Sequence, residues 1–474
     1  MFDLIIRSDR VVTPYGVEEL DVAIKDGKIA STSVPGLLKR ENARRFIDAT
    51  GKIVMPGGID PHVHCAWPQP GLDGTWWYTA GPEVVSRAAL FGGTTTLLDF
   101  ARWEHGNTIQ EAIRNRDGDW HRNCYCDYSY HIMLQGKLPY EIFDQIGDAI
   151  IDGYPTMKIF TTDITPSRSG RMLSFGDIWE TFKVTSRHGG MCVIHGEDND
   201  IVMHMYDKLF HEGRVEFKHL AEVHNALSED LSFRRVIHLA SKVPGTTVYF
   251  MHVSAESGVS AIHEARSKGL PIYGETLHQY VMFTAEDYTR PNGQIYHTYP
   301  SLKYEEDHDA LWNGLKNNII HTIATDEICC SLSVKLQGNR IDNTTGGNAG
   351  VEPRLAVMYT EMVGRRGFSL NEFVNLTSTN AAKIMGLYPI KGAIVAKSDA
   401  DITILDPALK TVITNEMLHE SDHSPWEGHE VDAWPSMTIL RGKIMVEDGK
   451  FFGDLNDGKY LFRRIPDNIH AGIL

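Results

Sequence analysis

Apolar and polar residues alternate with two different periods along the chain. Near both ends, segments such as DLIIRSDRVVT and SMTILRGKIMVEDGK follow period two and are interrupted by Asp-Gly or Gly-Lys turns. This pattern is typical of β-hairpins. It predicts one small β-sandwich domain built from both termini, residues 1–55 and 390–455, with a C-terminal tail over residues 456–474.

Between the two ends, short apolar strands alternate with longer segments whose apolar residues recur at helical spacing. The eight predicted strands are GGIDPHVH, TTTLLDFA, CDYSYHIML, TMKIF, GMCVIHGED, TVYFMHVS, PIYGETL and HTIATDE. Helical segments such as PEVVSRAALFGG and SGVSAIHEARSKG separate them. Eight strand–helix units predict an α/β fold with a TIM-like (β/α)8 catalytic barrel over residues 56–389. A doubly wound open sheet is the alternative.

Composition excludes several classes of protein. The chain has 474 residues, of which 42% are hydrophobic and 23% charged, as in an ordinary globular protein. The net charge of −16 argues against nucleic acid as a partner, and no apolar run is long enough for a membrane span. The N-terminal MFDLIIRSDRVVT predicts a strand rather than a signal peptide. Six cysteines form no disulfide framework, which favours the reducing cytoplasm.

Polar side chains stand at the carboxyl ends of several predicted strands. His62 and His64 lie two residues apart on the first strand, so both rings face the same side. His195, His252 and Asp326 each follow a run of apolar strand residues. Any one of them alone would be explained as a satisfied core residue. Together, at the strand ends where barrel enzymes carry their chemistry, they predict a set of metal ligands.

Lys158 occupies the same position on the fourth predicted strand, between the apolar residues Met157 and Ile159. A buried ammonium is costly, and a lysine whose stem packs inside while its head reaches water would avoid that cost. The nearby ligands offer a second explanation. Four histidines and one carboxylate can hold one metal ion with ligands to spare, and they can hold two only if another group bridges the ions. A carbamate formed from CO₂ and Lys158 would supply two oxygens for that purpose, and its negative charge suits a site beside cations.

The segments that carry these residues resemble the amidohydrolase superfamily, in particular its dihydropyrimidinase and hydantoinase branch of cyclic amidases. In chain order they are PGGIDPHVH, RAALFGGTTTLLDF, MKIF, VIHGED, FMHVSAESGVSAI, ETLHQY, IATDE and GFSLNEFVNLTSTNAAKIMGLYPIKGAI. The resemblance implies two divalent metal ions, expected to be Zn²⁺, and a homo-oligomer, expected to be a tetramer. The implied ligands are His62, His64 and Asp326 for one ion, His195 and His252 for the other, and carboxylated Lys158 as the bridge.

The resemblance also implies an activity. The enzyme would hydrolyse a C–N bond of a cyclic amide or ureide, a small-molecule substrate. Metal coordination lowers the pKa of a bound water, so the attacking group would be a metal-bound hydroxide. Asp326 would take its proton and return it to the leaving nitrogen. A hydrolase of a non-cyclic amide, carbamate or thiocarbamate is one alternative, and a non-catalytic assembly or signalling relative is another.

The chain departs from this branch at positions that shape the substrate pocket. Asp163 stands where the family has a tyrosine that donates a hydrogen bond to the oxyanion, and an ionised carboxylate cannot donate one. Glu327 replaces the histidine that usually follows the metal-binding aspartate, and Tyr299 lies near the usual serine. These changes predict an altered pocket in which Asp163 and Tyr299 bind substrate. The alternative for Asp163 is a turn residue that points away from the site.

Overall fold

The terminal segments form one sheet, as their period-two pattern predicts. The computed structural model describes residues 1–474. The nine strands of the sheet are Phe2–Thr13, Gly16–Lys25, Lys28–Ser33, Ala43–Asp48, Ile53–Pro56, Ile402–Asp406, Trp434–Leu440, Lys443–Glu447 and Lys450–Phe451. The two ends of the chain meet where Ile53–Pro56 pairs antiparallel with Ile402–Asp406. The sheet encloses its own apolar core, which includes Ile6 and Val22. The predicted domain from both termini is confirmed, and its exact boundaries remain a prediction.

The middle of the chain forms a parallel barrel. Its strands are β1 (Gly58–Asp60), β2 (Thr94–Arg102), β3 (Asp127–Met133), β4 (Thr156–Phe160), β5 (Met191–His195), β6 (Val248–Phe250), β7 (Ile272–Leu277) and β8 (Thr322–Ala324). The ring closes just after β1 and β8. There the His64 N–H donates to the Glu327 carbonyl over 2.9 Å, and the Glu327 N–H donates to the His62 carbonyl over 3.3 Å. The predicted barrel is confirmed, and its closure excludes the open sheet.

Helices connect the barrel strands. The longer ones are α1 (Pro82–Phe91), α2 (Ile109–Trp120), α3 (Glu141–Ile151), α4 (Phe175–His188), α5 (Asn199–His211), α6 (Ala226–Ala240), α7 (Glu256–Ser267) and α8 (Glu305–Lys316). Several begin at a residue whose side chain accepts a hydrogen bond from a free backbone amide of the first turn. Thr108 does so for α2, Ser174 for α4 and Asn225 for α6.

Shorter elements complete the fold. The short α-helices are Leu220–Val223, Leu332–Lys335, Arg354–Tyr359, Leu370–Val374, Asn380–Ile384 and Asp467–His470, and two π-helical segments are Thr360–Arg365 and Asn375–Thr379. Two small hairpins pair Pro68–Pro70 with Trp76–Tyr78 and Thr411–Val412 with Glu430–Val431. None of the helices combines the length and apolarity needed to cross a membrane.

A buried charge cluster ties the barrel to the terminal sheet. The Lys391 ammonium lies 2.5 Å from Asp127 on β3, 2.5 Å from Asp401 and 2.9 Å from Asp399. All four side chains are buried, and Arg441 makes a further ion pair with Asp127. Because buried charges are stable only when paired, this cluster holds the two parts of the protein in one arrangement.

We expect Lys391→Met to lower the free energy of unfolding by about 3–5 kcal/mol, because removing one partner leaves buried carboxylates uncompensated. Lys410→Met is the matched control. Lys410 pairs with Asp432 over 3.0 Å, but the two side chains are 68% and 41% exposed, so its loss should cost at most about 1 kcal/mol. Urea unfolding of both variants measures the difference. Equal, small losses would show that the buried cluster contributes little.

Candidate metal centre and active site

The six predicted metal ligands converge at the carboxyl ends of the barrel strands. They line one cavity and are His62, His64, Lys158, His195, His252 and Asp326. All except His64 are buried. The parallel register of the barrel explains the convergence, because it sets equivalent positions of neighbouring strands side by side. Phe160 at the end of β4, for example, lies opposite His195 at the end of β5.

Three of these residues surround a single point. One carboxylate oxygen of Asp326, Oδ1, lies 3.1 Å from His62 Nε2 and 3.0 Å from His64 Nε2, and the three ligand atoms lie within 4.8 Å of one another. The barrel closure brings them together, since Asp326 follows β8 and the histidines follow β1. The Glu275 carboxylate binds His62 Nδ1 over 2.7 Å and thereby directs Nε2 into the cavity. Histidine nitrogens and a carboxylate so arranged fit a divalent metal ion.

The remaining histidines lie beside this group. The rings of His195 and His252 are 4.4 Å apart, and His252 is 5.5 Å from the ring of His62. The Glu197 carboxylate binds His195 Nε2 over 2.8 Å, and its other oxygen binds His224 Nδ1 over 2.8 Å. His195 Nδ1 is therefore the nitrogen left for a metal. A carboxylate on the far nitrogen is the usual support of a metal-binding histidine.

The charges at this centre are strongly coupled. Burial lowers the pKa of His62, but the nearby carboxylates of Asp326 and Glu275 outweigh it and raise that pKa to about 9. Burial dominates at His64, where the pKa falls to about 4. Burial would raise the pKa of Asp326, but His62 and His64 hold it well below its usual range. Asp326 is thus an ionised group that accepts hydrogen bonds at the centre of the site.

Two of the ligands sit on strained backbone. His252 has φ +41° and Asp326 has φ +51°, in the left-handed region that residues with a side chain rarely adopt. Each lies two residues after the end of its strand, where the chain turns, and each side chain lines the cavity. Such strain persists only where the surrounding structure enforces it, and it is concentrated at functional sites.

Lys158 is deeply buried and has no acidic partner. Lys158 is 1% exposed, which excludes the alternative in which the ammonium reaches bulk water. Its Nζ lies 2.9 Å from the Met251 sulfur and 5.0 Å from the centre of the Phe160 ring, and no carboxylate lies within ion-pair distance. Burial lowers the pKa of Lys158 to about 7. A substantial fraction of this amine is therefore neutral near pH 7.

The two predicted substrate-binding residues have different surroundings. Tyr299 lines the cavity, with its ring 4.9 Å from that of His224. Asp163 does not line it. The Asp163 carboxylate accepts hydrogen bonds from the backbone amides of Arg171 and Met172, both over 2.8 Å. These contacts are those of a residue that shapes its own loop, and substrate binding by Asp163 and Tyr299 stays a prediction.

Glu327, which the resemblance sets at the position of a family histidine, does not line the cavity either. Its Oε2 accepts hydrogen bonds from the amides of Gly350, over 2.7 Å, and Val351, over 2.9 Å. Burial raises its pKa to about 8. This substitution therefore brings no additional charge into the metal centre.

Several residues of the site were not found from the sequence. Glu275 and Glu197 orient the proposed metal ligands His62 and His195. Glu275 could have been noticed from the sequence, since it is a charged residue inside the apolar strand PIYGETL. Arg168 and Arg171 line the cavity but come from an irregular loop. Loop residues follow no hydrophobic period, so no sequence pattern indicates which of them face the site.

Fold and site together define a barrel hydrolase of the metal-dependent class. Residues 53–445 match the amidohydrolase family, and the chain belongs to this family. A D-hydantoinase from Ralstonia pickettii is 33% identical over 477 residues, covering 98% of this chain and 99% of that relative. A D-hydantoinase from Geobacillus stearothermophilus is 32% identical, covering 97% and 96%. The solved dihydropyrimidinase from Brevibacillus agri NCHU1002 superposes with a TM-score of 0.91 at 29% identity, covering 98% and 99%. The resemblance inferred from the sequence is confirmed.

Proposed function

We propose that this protein hydrolyses a C–N bond in the ring of a cyclic amide or ureide. The observation that carries the proposal is the convergence of His62, His64 and Asp326, whose ligand atoms lie within 4.8 Å of one another at the open end of the barrel. The relatives named D-hydantoinase and dihydropyrimidinase, which match over nearly the whole chain, support the choice of substrate.

Two divalent metal ions, best matched by Zn²⁺, would be held at this centre. The residues that would hold them are His62, His64, Lys158 as a carbamate, His195, His252 and Asp326. When bound, the metals supply a water of lowered pKa and polarise the substrate carbonyl. Glu275 and Glu197 contribute by fixing the ring orientation of His62 and His195, since each binds the nitrogen that faces away from the cavity.

The surroundings of Lys158 support its modification by CO₂. A neutral amine attacks CO₂, a new N–C bond forms and the nitrogen loses a proton, which leaves a carbamate with two oxygens. Burial and the absence of an acidic partner favour the neutral amine that this reaction needs. The product is an anion and would remove the cost of keeping an ammonium beside divalent cations.

Asp326 is the residue that we propose moves the proton. Its Oδ1 already lies within hydrogen-bond distance of two histidine nitrogens, and it is the acidic residue that lines the cavity. It would accept a proton from the attacking water and return it to the ring nitrogen as that nitrogen leaves. Trp67, Met133 and Phe160 form apolar walls that hold a small ring and exclude bulk water.

A substrate panel tests the proposal. Hydantoin, dihydrouracil, succinimide, a lactam and a linear carbamate would be assayed with the zinc-loaded enzyme, with chelator-treated enzyme as the control. We expect opening of the cyclic ureides, with formation of the N-carbamoyl product, and loss of turnover after chelation. Turnover of the linear carbamate alone would overturn the proposal in favour of a non-cyclic substrate, and zinc binding without any turnover would favour a non-catalytic role.

A homotetramer and a cytoplasmic location complete the proposal. All six cysteines are free and buried, in keeping with a reducing compartment. We expect light scattering at micromolar concentration to give about four times the chain mass of 53.2 kDa. A monomeric mass under these conditions would contradict the tetramer.

A further inference from the structure

Two arginines in the active-site cavity have no acidic partner. Arg168 and Arg171 line the same cavity as the metal ligands, and neither makes an ion pair. The Arg171 side chain donates no hydrogen bond and stacks over the Phe160 ring, with 5.1 Å from its guanidinium carbon to the ring centre. Arg168 makes one long contact, 3.4 Å to the Gln69 side-chain oxygen, and lies 5.5 Å from the centre of the Tyr299 ring.

The three buried arginines of this protein, Arg116, Arg354 and Arg463, each donate hydrogen bonds to protein acceptors, whereas Arg168 and Arg171 are half-buried. Arg116 donates to the Phe100 carbonyl over 2.9 Å and pairs with Asp99, and Arg463 donates to the Ser129 hydroxyl over 2.7 Å. A guanidinium carries five N–H donors and a permanent charge, so leaving it without acceptors in a partly buried position is costly. The half-buried Arg171, whose side chain donates no hydrogen bond, therefore differs from the three buried arginines.

The loop after β4 is built to present these two side chains. The Asp163 carboxylate binds the backbone amides of Arg171 and Met172, and Ile164 next to it adopts φ +69°. The charge of Asp163 acts on the Arg171 guanidinium, but the two groups form no ion pair, and the carboxylate is occupied by the amides. Burial, with the charges of Arg168 and Arg102, lowers the pKa of Arg171 to about 9, so it stays protonated near neutral pH.

We infer that the substrate carries a carboxylate, which Arg171 and Arg168 bind while the ring to be opened lies at the metal centre. This inference rests on the proposed function and names its substrate class, an anionic cyclic amide. The cavity has two chemically different parts, since its acidic residue, Asp326, belongs to the metal centre and its arginines come from the loop after β4. A planar guanidinium matches a carboxylate with two parallel hydrogen bonds, which a neutral side chain cannot supply.

A matched pair of substrates tests the inference on the zinc-loaded enzyme. One is a hydantoin with a carboxyethyl side chain, and the other is the same hydantoin with the isosteric, neutral carbamoylethyl side chain. We expect kcat/KM for the carboxylate to exceed that for the amide by about 10- to 100-fold, as expected of charge-assisted hydrogen bonds. In Arg171→Gln and Arg168→Gln, the ratio of the two kcat/KM values should fall towards one, mainly because KM for the carboxylate substrate rises. Arg171→Lys should retain part of the preference.

Arg187→Gln is the control for the loss of an arginine. Arg187 is an exposed, unpaired arginine on α4, and its replacement should leave the preference unchanged. If the wild-type enzyme opens both hydantoins equally well, the inference is overturned while the proposed function stands. If it opens neither these nor any ring of the substrate panel, the proposed function itself fails. The ratio of kcat/KM for the two hydantoins is measured on the wild-type enzyme. It therefore tests the inference even if an arginine variant does not fold.

Discussion

Replacing Asp326 by asparagine should lower kcat by about 10²–10⁴-fold, the usual contribution of a general acid–base residue. The amide oxygen can still approach His62 and His64 and can still bind a metal, so part of the metal should remain. It cannot take up a proton, however, and the leaving nitrogen would depart without one. We therefore expect the loss to appear in kcat measured per bound metal ion, with a smaller change in KM.

Two measurements separate this role from a merely structural one. Metal content by elemental analysis should fall much less than activity, and the acidic limb of the pH–rate profile should be lost. Asp207→Asn, an exposed aspartate on α5, is the matched control and should keep both kcat and pH profile. A wild-type kcat with an unchanged pH profile in Asp326→Asn would rule out the proton transfer.

Replacing Lys158 by alanine should remove most of the bound metal and nearly all turnover. Without the carbamate, the four histidines and Asp326 lack the group that would bridge two ions. Lys158→Arg tests the same point with a long basic side chain retained, because a guanidinium stays protonated and does not form a carbamate. We expect both variants to lose metal and activity to a similar extent.

Reconstitution of metal-free enzyme adds a test that is specific for CO₂. Metal uptake by the wild-type chain should increase with bicarbonate, whereas uptake by Lys158→Ala should not respond to it. Lys208→Ala, an exposed lysine on α5, should behave as wild type. Full metal occupancy and normal turnover in Lys158→Ala would remove Lys158 from the metal centre.

The residues that we propose as metal ligands could be located from the sequence because their positions follow from local patterns. Each barrel strand is a short apolar run, and each polar residue at its end breaks that run. His195 at the end of MCVIH and Lys158 within TMKIF are examples. Barrel strands are parallel, so their carboxyl ends meet at one face whatever the connecting helices contain. Strand patterning alone therefore predicted which residues share a site.

The substrate side of the cavity could not be predicted in the same way. The resemblance led to the prediction that Asp163 binds substrate, yet its carboxylate binds backbone amides eight and nine residues further on. That choice depends on the path of an irregular loop. A side chain in such a loop can turn towards the cavity or towards its own backbone without any change in the hydrophobic pattern.

The sequence by itself determined the two domains, the eight strands and the residues that end them, because these depend on periodicity over a few neighbouring positions. Only the tertiary structure decided the working geometry of the site. Glu275 orients His62 although 213 residues separate them, and barrel closure brings Asp326 within 3.1 Å of His62. The tertiary structure also leaves the Arg171 side chain without an acidic partner. Such contacts join residues far apart in the chain, so they are specified by the packing of the whole barrel and not by any local segment.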